Sequence, residues 1–132
     1  MKFELKVRTD CQVQLKDVTA EIQQLIHGSG ITSGTAVLFV PHTTAAVTLN
    51  ENADPDVVTD ILNGLNKLVP MRDDYRHREG NSAAHLKSSL VGCSVQLIIE
   101  KGRLVLGTWQ GIFFCEFDGP RSRKLMVKLT SA

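Results

Sequence analysis

The chain has 132 residues, 42% of them hydrophobic and 22% charged, and a formal charge of +1. That length buries a core without staples, the composition is that of an ordered polypeptide, and dispersed Lys and Arg at near-neutral charge give no electrostatic footprint for nucleic acid. The three cysteines, Cys11, Cys93 and Cys115, form no CxxC pair, which argues against a disulfide framework and a zinc knuckle and favours a reduced setting.

At the N-terminus, "MKFELKVRTD" alternates charge with hydrophobe, and no stretch approaches the roughly 20 apolar residues of a membrane span. A soluble, cytoplasmic protein of one domain, residues 1–132, is expected. Phe3, Leu5 and Val7 share one face of a first strand. Val18, Ile22, Leu25 and Ile26 recur at helical spacing, with Asp17 as the N-cap and Gly28 and Gly30 as stops. "GTAVLFVP" is a buried strand by length and content, and "AAVTLNE" a second one ending in polar groups.

The clearest start signal is "ADPDVVTDILNGLNKLVP": Asp54 caps, Pro55 takes the first helical position, and the helix stops before Pro70. Residues 71–80 have no period and read as a loop; a short helix from Asn81 ends at Gly92. Four strands follow, "CSVQLIIE", "RLVLG", "WQGIFFCEF" and "KLMVKLT", with turns at "KG" and "DGPRS". The sum is an α+β fold of six or seven strands with two or three helices on one side or end.

Polar residues suited to chemistry gather at strand ends and helix starts. His42, Thr43 and Thr44 follow the strand 34–40; Glu51 and Asp54 lie between a strand and a helix; Glu116, Asp118, Arg121 and Arg123 close the chain's last turn. His42, His77 and His85 offer three imidazoles for a metal, with Glu51, Asp54 or Glu116 as carboxylate ligand or base, although the spacing of His77 and His85 fits no compact metal motif. The bland alternative has His85 packed on its helix and His77 solvated. His27, before Gly28, reads as a helix-terminus residue. Trp109 and Phe113 read as core before they read as a stacking platform. Glu116 and Asp118 alternate with Cys115 and Phe117, so the acids are expected to face away from the apolar side. Arg121, in a Gly-Pro turn, suits fork-like binding of a phosphate, or equally an ion pair with Asp118.

Three blocks, "PHTTAAVTLNENADPDV", "EGNSAAHLKSSLVG" and "GRLVLGTWQGIFFCEFDGPRSRK", in this order, resemble the YjbQ family, UPF0047, over nearly the whole chain. The resemblance implies a small cytoplasmic α+β domain of β-sandwich-like sheets, assembled as a homotrimer. It also implies a weak thiamine-phosphate synthase activity, which couples a pyrimidine pyrophosphate to a thiazole phosphate. The polar positions it carries over are His42, Glu51, Asp54, His77, Asn81, His85, Glu116 and Arg121, gathered at a pocket near a subunit boundary for a metal ion or a small anion. Thr43, Thr44, Asn81, Lys87 and Trp109 are the expected substrate contacts, and Zn²⁺, Mn²⁺ or Mg²⁺ the candidate metals. The alternatives are a metal-dependent hydrolase of a small phosphorylated metabolite and a non-catalytic metabolite-binding trimer. One departure from the pattern is "HTTAAV" where "HTTAGV" is expected; an alanine for glycine beside His42 would narrow the backbone approach there.

Overall fold

In the computed structural model, which describes all 132 residues, eight strands and three helices follow the order β1 (Lys2–Arg8), β2 (Gln14–Asp17), α1 (Thr19–Ser29), β3 (Ser33–Phe39), β4 (Ala45–Glu51), α2 (Pro55–Leu68), α3 (Ser82–Val91), β5 (Ser94–Glu100), β6 (Arg103–Leu104), β7 (Gln110–Glu116) and β8 (Ser122–Ser131). All strand pairing is antiparallel. One sheet runs β1-β8-β3-β5-β6 and a smaller one β2-β7-β4.

Three layers result. The inner face of the five-stranded sheet, with Val7, Ala36, Leu38, Leu97, Ile99, Leu125, Val127 and Leu129, packs on Val47, Ile112 and Phe114 of the small sheet and on Ile22 and Ile26 of α1. On its other face the small sheet holds Leu15, Ala46, Phe113, Cys115 and Phe117 against Ala84 of α3 and the half-buried Val58, Ile61, Leu62 and Leu65 of α2. β7 is therefore the middle strand of the middle layer and buried on both faces, which is why "GIFFCEF" runs apolar without alternation.

Local signals account for most element ends. Asp54 caps α2 by accepting the Asp56 N–H at 2.9 Å, with Pro55 at the first turn. At α1 the cap position falls to Val18; Asp17 sits one residue earlier and accepts both the N–H and the hydroxyl of Thr19. Gly30 ends α1 in the left-handed conformation that glycine enters freely. The strand β2 was not expected, since only Leu15 of its four residues is buried. β6 is shorter than "RLVLG" foretold, because the chain leaves the ladder after Val105, whose N–H makes the last bond, to the Ile98 carbonyl. No helix is long and apolar enough to cross a membrane.

Candidate functional site

The turn between β7 and β8, the connection between β3 and β4, the loop before α3 and the start of α3 meet at one end of the two-sheet stack. Between them opens a cleft of about 720 Å³ lined by His42, Thr43, Thr44, His77, Asn81, His85, Arg121 and Arg123, with Phe39, Cys93 and Glu79 at its border. His77 and His85 stand edge to face, ring centroids 5.3 Å apart. The loop and the helix start thus bring two histidines together that no sequence period relates.

Beneath the cleft lies a buried ion pair. Arg123 is in phase with Leu125, Val127 and Leu129 on the inner face of β8, and Glu116 is in phase with Ile112 and Phe114 on β7, so both point into the space between the sheets. Arg123 donates through Nε to Glu116 Oε1 at 2.8 Å and through Nη2 to Glu116 Oε2 and to Thr44 Oγ1, the latter at 2.8 Å. Glu116 also accepts from the Thr9 hydroxyl at 2.8 Å and the Asp118 N–H at 3.0 Å. Burial alone would push the Glu116 carboxyl up, but the hydrogen bonds from Arg123, the Asp118 amide and Thr9, together with the Arg123 charge, hold it below its usual range.

The rim is set by a chain of three side chains. Arg121 grips Asp118 with Nε on its carbonyl and Nη2 on its carboxylate, both at 2.8 Å. Asp118 Oδ2 in turn accepts Asn81 Nδ2 at 2.9 Å. An ionised carboxylate can face only the NH₂ end of that amide, so Asn81 Oδ1 is turned away and stays a buried acceptor without a partner. Since Asn81 spends its side chain on Asp118, α3 starts without a side-chain cap, and Asn81 and His85 bring that start to the wall of the cleft. Both arginines therefore have carboxylate partners that orient them, and neither has a protein acceptor for Nη1.

His42 Nε2 accepts the main-chain N–H of Lys124 at 2.9 Å. Burial, then the charge of Arg123, with Lys124 adding to it, hold the imidazole below its usual range, and Glu116 offsets only part of this.

Several expected site residues lie elsewhere. Glu116 is not a cleft acid: it is fully buried and saturated with donors, because β7 has no solvent face at that point. Glu51 pairs with Gln110 at the far end of β4 from Ala45, six residues or about 20 Å along the strand, and Asp54 beyond it is a helix cap. Trp109 is 62% exposed at that same far end, where its carbonyl accepts the Asn52 N–H, so it is neither core nor a wall of this cleft. Lys87 faces inward from α3, completely buried, bonded to Asn66 Oδ1 and 6.0 Å from the Phe117 ring. Ala46 turns its methyl into the core beside Ala84 and Cys115, so the alanine does not narrow the backbone beside His42. Arg123, grouped in the sequence with Glu116, Asp118 and Arg121 but given no role of its own there, proves to be a cleft residue; the signal for its inward direction was a cation in step with a buried run.

No three His, Cys, Asp or Glu side chains converge on one point as metal ligands would. His77 and His85 make a pair, His42 has its Nε2 engaged, and the acids expected to complete the set lie at the strand's far end or in the core. This chain's own donors do not fit a three-ligand zinc or manganese centre.

Fold and cleft define a three-layer α+β domain with a cleft at one end that is lined by two arginines and three histidines. The chain belongs to the family described as UPF0047 protein YjbQ-like, whose model matches residues 3–132. It is 51% identical over 126 residues to the UPF0047 protein YugU of Bacillus subtilis, covering 95% of this chain and 96% of that one. A UPF0047 protein of Methanocaldococcus jannaschii is 53% identical over 129 residues, covering 98% of this chain and 94% of the relative. Among solved structures, a yjbq/upf0047 family protein of Clostridium acetobutylicum superposes with a TM-score of 0.95 at 54% identity, covering 97% and 99% of the two chains. A hypothetical protein of Aeropyrum pernix gives 0.95 at 35% identity, covering 100% and 99%.

Proposed function

We propose that the chain is a cytoplasmic enzyme of thiamine-phosphate synthase type, which joins a pyrimidine pyrophosphate to a thiazole phosphate and releases pyrophosphate at the cleft. The observation that supports this reading is the pair of guanidinium groups, Arg121 and Arg123, each oriented by a carboxylate and each with Nη1 unengaged beside the uncapped start of α3. In such a coupling negative charge grows on the departing pyrophosphate, and fixed donors aimed at that charge lower the barrier without reorganising. Thr43 and the His77–His85 pair line the same space and are placed to hold the second substrate and its protons. Any divalent ion would come with the substrate's own phosphates, since the chain brings no third ligand to the histidine pair.

The direct test is to incubate the purified protein with the two phosphorylated substrates and Mg²⁺ and to follow thiamine phosphate and pyrophosphate. Product from the wild type, lost in Arg121→Gln and His85→Ala variants that remain folded, is the expected result. No product, or equal product from the variants, would refute the assignment.

The same reading has the chain working as a homotrimer. Supporting it, the outward face of the five-stranded sheet carries Val37, Phe39, Ile98 and Met126, with Phe39 at 44% and Ile98 at 56% exposure, and Phe39 also borders the cleft. Sedimentation equilibrium should give three times the chain mass; a monomer would refute it.

A further inference from the structure

We propose that His42 acts as an uncharged hydrogen-bond donor, through Nδ1–H, to an anionic oxygen of the ligand, and that it takes no part in holding a metal. This rests on the anion reading of the cleft and gives one of its groups a defined role.

The reason lies at the other ring nitrogen. β3 ends at Phe39, which pairs with Met126; continuing that register sets Pro41 against Lys124. Pro41 begins the departure toward β4, and the acceptor for the Lys124 N–H is supplied by the next side chain, His42, through Nε2 at 2.9 Å. A main-chain amide keeps its proton, so Nε2 must present its lone pair, and a neutral imidazole then carries its single hydrogen on Nδ1. Each alternative conflicts with that contact. A metal on Nε2 would displace the amide. A metal on Nδ1 would send the hydrogen to Nε2, facing one N–H with another, and the imidazolium meets the same clash.

Nδ1 has no acceptor within the protein and is not among the fully buried orphan atoms. The ring borders the cleft beside Thr43, Thr44 and Arg123. His42 thus adds a neutral N–H to the two free guanidinium nitrogens in the same cleft, and the oxygens of an anionic ligand are acceptors for such donors.

The test uses ¹⁵N-histidine-labelled wild-type protein with inorganic phosphate and with Zn²⁺ as separate probes. Long-range ¹H–¹⁵N spectra at neutral pH should show His42 with a pyrrole-type Nδ1 and a pyridine-type Nε2. Phosphate should move the Nδ1 signal, and Zn²⁺ should leave both in place. In His42→Gln, the side-chain carbonyl still accepts from Lys124 but no donor stands at the Nδ1 position, so phosphate should bind about tenfold more weakly at unchanged thermal stability. A proton on Nε2, His42 signals shifted by Zn²⁺, or phosphate binding equal in wild type and His42→Gln would each overturn this role while leaving the anion reading standing. No phosphate binding by the wild type would overturn both.

Discussion

Lys87 and Glu116 are both buried ions, and their surroundings give them opposite energetic signs. Glu116 accepts four hydrogen bonds, two of them from the Arg123 guanidinium, so removing the carboxylate leaves the buried Arg123 charge without its partner. Breaking a buried pair from one side costs about 3–5 kcal/mol, and Glu116→Ala should lower the urea-unfolding free energy by that order. Lys87 has only the Asn66 amide oxygen and, 6.0 Å away, the face of the Phe117 ring, and burial pushes its ammonium below its usual range. Replacing it with methionine keeps the stem and removes the uncompensated charge, so Lys87→Met should stabilise the fold by about 1–2 kcal/mol. A lower melting temperature for that variant would contradict this account of the residue.

Among the elements, α2 is the least secured. Its apolar side is covered only in part, and none of its residues is fully buried, whereas β7 is enclosed on both faces. Amide exchange should therefore open α2 at a lower free energy than β7 and β8, and equal protection in all three would argue against the layered description. The legibility of these elements followed the strength of their local chemistry. α2 was readable from Asp54, Pro55 and the stop before Pro70; β3 and β4 from β-branched runs. β2 was not, because a four-residue strand with one buried side chain has no pattern long enough to recognise. Glu116 was misplaced because alternation was taken to mean one wet face, a rule that holds for outer layers and fails for a strand between two. The meeting of His42, His77 and His85 was carried by the family resemblance alone, since a strand end, a loop and a helix start share no period.

For the molecule as a whole, the two shifted groups at the cleft end give stability a defined pH dependence. His42 is held below 6.5 in the fold, so as pH falls past that value the unfolded chain takes up the proton first and stability declines. Glu116 is held below 4.5, so its stabilising contribution is complete above that value and is lost as pH falls through its lower folded pKa. The melting temperature should drop in two acid stages, beginning near 6.5 and steepening below 4.5. Glu116→Gln should shrink the second stage, to which the Asp17 carboxyl held low by Thr19 and Asn52 also contributes, and keep the first; a second stage unchanged in that variant would place the acid sensitivity elsewhere.

The central claim is that one end of this three-layer domain is built to take an anion between Arg121, Arg123 and the start of α3. Calorimetric titration of pyrophosphate into wild type and Arg121→Gln tests it most directly. The account predicts saturable binding by the wild type, weakened about tenfold by the loss of one charge-assisted contact in a variant that keeps its fold. Undetectable binding by the wild type, or identical binding by the two proteins, would contradict it.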